Sequence, residues 1–381
     1  MTDGQRCVTC NAELPPPTRK GSPRLYCDRC RDERKRALQR VKTPSDRLSE
    51  GANAASAPDR MEVVLEAIRE RKPVDFRPLK GLIQDKSGRA WIGHASDWHI
   101  GQLTLSEETG GMYHHDIEVA AAQLEQQNRI EMEIMRDSGR TVGDYLLILN
   151  GDLLEGDDMR ASQHREIEML ASEQAVRVFQ LICQQIDMHL SLVSGSVIVS
   201  MVGGNHDRLS KKPGNAGLGE LGYKATYAWM VGEFVKAAYV SNPRVRIVNW
   251  GTWYGHLMFN GLRVAHSHGA DIKWTTGGHS GIPWNAIHVA AQRYSRMLGG
   301  YDLLFLGHGH IPAILPMEPN ATVFLNGSLP GTTSWVQSSF KVVREPIQQL
   351  VEVNRHGFVA YHPLKLEVGQ TEPASSIWDQ S

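Results

Sequence analysis

The sequence predicts a mixed α/β (α+β) chain: a two-sheet β-sandwich flanked by helices, with a small cysteine-based module in front. Three observations predict it. From Arg89 onward, short apolar runs of strand length alternate with long helical segments, the pattern of strands covered on both faces. After residue 245 the apolar runs follow one another closely, which adds antiparallel hairpins to what would otherwise be an open parallel sheet. Residues 1–45 differ from the rest and hold four of the chain's five cysteines in two Cys-x-x-Cys pairs.

Those pairs, Cys7/Cys10 and Cys27/Cys30, are separated by a spacing that suits a four-thiolate zinc site. So short a segment cannot bury a core of its own, so one structural Zn²⁺ would have to supply its folding energy. The second pair runs into a basic helix carrying Arg34, Lys35, Arg36, Arg40 and Lys42; residues 1–47 hold twelve Lys and Arg against six Asp and Glu, a formal +6. Residues 46–88 read as a Ser-, Ala- and Gly-rich linker with a short helix over Met61–Lys72, stopped by Pro73. The main domain spans 89–365, and 366–381 is expected to be a flexible tail.

Within that domain, strands are predicted at Ala90–Ala95, Tyr145–Leu149, Val197–Val202, Val245–Val248, Leu257–Asn260, Leu262–His266, Leu303–Leu306, Thr322–Leu325 and Leu350–Val353. Helices are predicted at Ile117–Met135, Glu168–Leu190 and Asn285–Leu298. No internal repeat is found. Across 381 residues the formal charge is −1, so no global basic field marks a nucleic-acid partner, and any such partner must be read from local patches. No long apolar run and no leader-like N-terminus is present, which points to a cytoplasmic protein with no membrane partner. Cys183, in an apolar stretch, reads as a small buried hydrophobe.

Five short polar motifs end apolar runs in one order: Asp97-Trp98-His99, Gly151-Asp152-Leu153-Leu154-Glu155, Gly204-Asn205-His206-Asp207, His266-Ser267-His268-Gly269 and Gly307-His308-Gly309-His310. Each alone is a weak signal. Together they deliver carboxylate, carboxamide and imidazole groups to one cleft, the donor set of two divalent metal ions. A pair of metals needs a shared anionic ligand, which Asp152 can be, and neutral imidazoles complete the shells without cancelling the positive charge that activates water. No cysteine joins the set, which favours Mn²⁺, with Fe or Zn²⁺ as alternatives.

The ordered motifs DxH, GDxxE, GNHD, HG and GHxH resemble those of the calcineurin-like metallophosphoesterase superfamily over Arg89 to Leu364. The resemblance implies Asp97, His99, Asp152 and His310 as ligands of one metal, and Asp152, Asn205, His268 and His308 as ligands of the other. It implies His206 as the residue that contacts the phosphate and protonates the leaving group, with Asp207 orienting it and Glu155 supporting the ligands. His268 is chosen over His266 because the family places its ligand immediately before Gly. Trp274, His279 and Trp284 follow in a Gly-rich loop and suit either stacking on a base or anchoring the loop.

Three functions fit these readings. The first is a DNA nuclease or exonuclease like the phage and bacterial DNA-repair members, working in the host cytoplasm if phage-encoded, with Arg34, Lys35, Arg36 and Arg40 on the nucleic-acid backbone. The second is a small-molecule phosphodiesterase or phosphatase, for example on cyclic nucleotides, with the zinc ribbon docking a protein partner. The third is a non-enzymatic zinc-ribbon adaptor, disfavoured because no expected ligand is missing. A homodimer is compatible with all three.

Overall fold

The computed structural model describes residues 88–366, apart from 112, 140–141, 159–162, 210–223, 275–281 and 334–342. The zinc ribbon with Cys7, Cys10, Cys27 and Cys30, the basic helix with Arg34, Lys35, Arg36 and Arg40, the linker up to residue 87 and the tail from 367 lie outside the described residues, as does His279.

Two sheets carry the domain. In the first, β1 (Ala90–Ala95), β2 (Tyr145–Asn150), β3 (Val197–Val202) and β4 (Val245–Asn249) run parallel. β10 (Ile347–Asn354) and β11 (Gly357–Lys365) add antiparallel strands, giving the order β11-β10-β1-β2-β3-β4. The second sheet joins β5 (Tyr254–Phe259), β6 (Leu262–Ser267), β7 (Leu303–Leu306), β8 (Ala313–Met317) and β9 (Ala321–Leu325) in the order β5-β6-β7-β9-β8. Its outer pairs are antiparallel hairpins, β5–β6 as expected and β8–β9 with a strand the sequence did not predict, while β6, β7 and β9 at its centre are parallel. The β5–β6 turn is Asn260-Gly261, both at positive φ (50° and 82°), the backbone a two-residue hairpin requires. Asn260 is therefore a turn residue rather than the end of a strand.

Helices α1 (Ile117–Asp137), α2 (Ala171–Leu192) and α3 (Tyr227–Ala238) cover one side, and α4 (Trp284–Leu298) the other. α1 starts where the Asp116 carboxylate accepts the Val119 N–H. α2 begins three residues later than its apolar spacing predicts, after an extended Leu170 whose N–H is capped by the Glu173 carboxylate at 3.1 Å, while Glu168 accepts the Ile117 N–H at the start of α1.

The alternation of strand side chains divides the core into layers. Tyr145, Leu147 and Leu149 of β2 face the helices with Leu124, Val178, Ile182 and Ile186. Leu146 and Ile148, one residue out of step, face the second sheet with Val264, Phe305 and Phe324. The far face of that sheet buries Leu304, Leu306 and Val323 against Ile287, Ala291 and Tyr294. Each such buried Val, Leu, Ile or Phe side chain contributes about 1.5–3 kcal/mol. Cys183 lies in the first layer, as its apolar context predicts. No described helix is long and apolar enough to cross a membrane.

One polar seam interrupts the apolar layer between the sheets. Trp250 donates its indole N–H to Ser200 Oγ at 2.9 Å, and Ser200 donates to His266 Nε2 at 2.7 Å. His266 Nδ1 lies 3.2 Å from Asn150 Oδ1, Asn150 Nδ2 lies 3.3 Å from His94 Nε2, and His94 Nδ1 lies 3.3 Å from Gln349 Oε1. Asn150 Nδ2 also donates to the Phe305 carbonyl at 3.0 Å, which fixes the orientation of its amide. Every donor then meets an acceptor only if both imidazoles are neutral and carry hydrogen on Nδ1. Burial agrees: it lowers His94 to about 4 despite the Gln349 bond, and His266 to about 3.

Candidate metal centre

All five motifs sit where β1, β2, β3, β6 and β7 end, so the loops that follow converge on one edge of the sandwich. This is where an open α/β sheet places ligands. The loops after β1 and β2 are laced together by backbone bonds, Asp97 N–H to Gly151 O and His99 N–H to Asp152 O, each 3.0 Å. Asp97, His99, Asp152, His308 and His310 adopt positive φ between 47° and 66°, a backbone that non-glycine residues hold only when their surroundings over-determine it. Asp97 is held by Ser96 Oγ and by the His308 N–H at 3.0 Å, and Ser96 is in turn held by Asn326.

Three groups of candidate ligand atoms form among the described residues; one, His99 with Glu155 and His206, shares His99 with the first of the two described next. In that first group, His310 Nε2 stands 3.1 Å from Asp97 Oδ1 and 3.3 Å from His99 Nε2. In the other, His268 Nε2 stands 2.9 Å from Asp152 Oδ2 and 3.1 Å from both Asn205 Oδ1 and His308 Nδ1. The tautomers decide what these contacts mean. His268 Nδ1 donates to the Asn150 carbonyl at 2.9 Å and His99 Nδ1 to Glu155 Oε2 at 2.7 Å, so both Nε2 atoms present lone pairs. Lone pairs of imidazole, carboxylate and carboxamide therefore point at one another across about 3 Å. With protons alone, burial disfavours an imidazolium at His268, yet the Asp152 carboxylate outweighs it and raises the ring to about 9. One proton answers one pair of these atoms; a divalent cation answers the whole group. The residues fit two divalent ions.

The structure thus brings together Asp97, His99 and His310, and separately Asp152, Asn205, His268 and His308. Asp152 falls in the second group; its Oδ1 accepts the His206 N–H at 2.7 Å, which leaves Oδ2 to face the ligands. His266 turns away from the cleft into the polar seam, while His268 faces Asp152, Asn205 and His308.

Asp207 does not orient His206, contrary to the sequence expectation. Its carboxylate accepts the N–H groups of Asp152 (2.8 Å), Leu153 (3.1 Å), Leu154 (3.2 Å) and Gly204 (2.7 Å), so it folds the two metal-bearing loops around itself. Glu155 takes the orienting place: His206 Nδ1 lies 2.9 Å from its carbonyl and 3.3 Å from its Oε2. Burial opposes a charge on His206, but Glu155 and Asp152 outweigh it and raise the ring to about 10; cations beside it would pull that value back down. The ring lies edge-on to His99, with centroids 4.7 Å apart.

Sequence reasoning placed no role on Asn150, Ser96 or Arg344. Asn150 carried a legible signal, a carboxamide closing an otherwise apolar buried strand. Trp274 anchors its loop: its indole N–H donates to Gly269 O at 2.9 Å, and a Cβ on Gly309 would meet its ring at 2.1 Å. Trp284 is the first residue of α4.

Solved structures similar to this chain show 9–13% identity. One, from Streptococcus pneumoniae TIGR4, is described as a conserved uncharacterized protein and predicted phosphoesterase (12% identity, 72% of this chain and 97% of that one, TM-score 0.28). Another is Vps29 complexed with zinc from Entamoeba histolytica (11% identity, 72% and 96%, TM-score 0.32). A third is an archaeal phosphodiesterase (13% identity, 72% and 99%, TM-score 0.31). No curated protein sequence matches. The profile of the calcineurin-like phosphoesterases matches residues 90–312, and the chain belongs to that family.

Proposed function

We propose that this chain is a two-metal phosphodiesterase whose substrate is DNA. The observation that carries the phosphodiester reading is the pair of converging lone-pair groups beside a histidine that belongs to neither. Asp97, His99 and His310 would hold one cation, and Asp152, Asn205, His268 and His308 the other, with Asp152 shared. When bound, such cations supply Lewis acidity and a water of lowered pKa. His206 keeps Nδ1 on Glu155, so its Nε2 is the atom that delivers a proton to the departing oxygen. Asp207 keeps the loops at the spacing this requires.

DNA is supported by the +6 charge of residues 1–47, whose cations would contact phosphates rather than bases. The chain loaded with Mn²⁺ should hydrolyse bis-p-nitrophenyl phosphate and linear DNA; circular DNA reports whether ends are needed, and a 2′,3′-cyclic nucleotide is the small-diester control. Deleting residues 1–45 should leave the small diester nearly unchanged while DNA binding weakens and its salt dependence becomes shallower. Equal affinity and salt slope with and without the module, together with preferred turnover of the cyclic nucleotide, would replace DNA by a small diester. No diester turnover with Mn²⁺, Fe²⁺ or Zn²⁺ would remove the reading altogether.

A further inference from the structure

We propose that Arg344 binds a phosphoryl oxygen of the substrate at the rim of the metal centre, an assignment that rests on the phosphoester reading above. Arg344 lies outside every motif, just before β10, yet its Nη1 donates to the Gly309 carbonyl at 2.6 Å, between the two histidines of the last motif. That single bond leaves most of the guanidinium's N–H groups without a partner among the described residues. No carboxylate of the described residues lies within ion-pair distance of it; its neighbour Glu345 pairs with Lys365 instead.

A half-buried cation with no counter-charge among the described residues is held at a cost, since burial penalises it. The chain nevertheless holds it rigidly. Thr332 Oγ accepts the Arg344 N–H at 2.6 Å and donates to the Arg344 carbonyl at 3.0 Å, and Thr332 is itself buried. Gly331 at φ 62° lets the chain pass so close that a Cβ there would stand 2.9 Å from that carbonyl. An anion arriving at the metals is what such a cation lacks. Its planar fork matches two oxygens of a phosphate, which a lone ammonium does not.

The alternative is that Arg344 only braces Gly309. Arg344→Gln separates the two, because a glutamine amide can still donate to the Gly309 carbonyl but carries no charge. The experiment titrates orthophosphate into the Mn²⁺-loaded full chain by calorimetry and measures KM and kcat for bis-p-nitrophenyl phosphate, with metal content by elemental analysis. Arg344→Gln should keep both metals, bind orthophosphate about ten- to a hundredfold more weakly, the range for hydrogen bonds to charged groups, and raise KM. Arg344→Lys should recover part of the affinity. Unchanged orthophosphate affinity with both metals present would overturn the proposal, and so would loss of metal from the Arg344→Gln variant, which would make Arg344 a brace. If the wild type binds orthophosphate through Arg344 yet hydrolyses no ester, the phosphoesterase reading fails while the anion site stands.

Discussion

The two ligand groups use nearly the same donors but are backed differently. In the first, His99 is held from behind by the Glu155 carboxylate and Asp97 by the Ser96 hydroxyl, and the His310 side chain is 21% exposed. In the second, His268 is held by a backbone carbonyl, that of Asn150, and its side chain is 3% exposed. A carboxylate behind an imidazole raises its basicity as well as fixing its tautomer, whereas a carbonyl chiefly fixes it. Both groups hold two buried residues and one half-buried one, so burial does not separate them, and the expected difference in affinity comes from the charge behind the first. Ligand type alone does not set a metal's affinity; the groups behind the ligands do.

The strongest test of this contrast removes what the pockets are proposed to share. Asp152→Asn keeps the shape and the bond to the His206 N–H but removes the charge, so both pockets should lose metal and turnover should fall at least about a hundredfold. Full metal content with near-wild-type turnover would show that Asp152 serves neither pocket. Glu155→Gln should act on one pocket only, lowering first-pocket metal affinity by about 10- to 100-fold while the second is unchanged. Competition with a chelator would read this, and equal losses in both pockets would erase the distinction. The smallest effect concerns the two histidines of the HxH segment. His268→Ala should empty the second pocket, whereas His266→Ala should leave both metals bound and lower stability by about 1–3 kcal/mol, because Ser200 and Asn150 lose a buried partner. Thermal unfolding beside elemental analysis separates them, and the reverse pattern would exchange their roles.

The candidate ligands that the structure brings together were legible because such chemistry needs particular side chains at the ends of particular strands, and apolar runs mark those ends. The groups behind the ligands were less so. Asp207 sits beside His206 in sequence, which suggested a pair, yet the loop turns it inward to four backbone N–H groups, and Glu155 reaches His206 from another strand. Three elements escaped the pattern for physical reasons. β8 and β11 are edge strands, where Pro316 and Pro363 are tolerated and half-exposed faces break the apolar run. α3 buries a stripe of Ala228, Val231, Gly232 and Val235, but two of these are small and apolar residues also lie on its other faces, so the stripe does not stand out in the sequence. The strands and long helices of the sandwich, by contrast, follow from burial on both faces, and their observed ends differ from the apolar runs by only a few residues.

The left-handed backbone at five of the seven proposed metal ligands bears on how this centre can be probed. A side chain there is removed from a residue whose main chain is already unfavourable for any L-amino acid. Alanine deletes the donor and keeps that conformational penalty; glycine deletes the donor and releases it, a difference of about 1 kcal/mol per position. At His308 and His310 the two substitutions should therefore be equally inactive, while the glycine chain unfolds at the higher temperature. A glycine variant sturdier than its equally disarmed alanine counterpart would reveal how much folding free energy is committed to holding reactive groups in place.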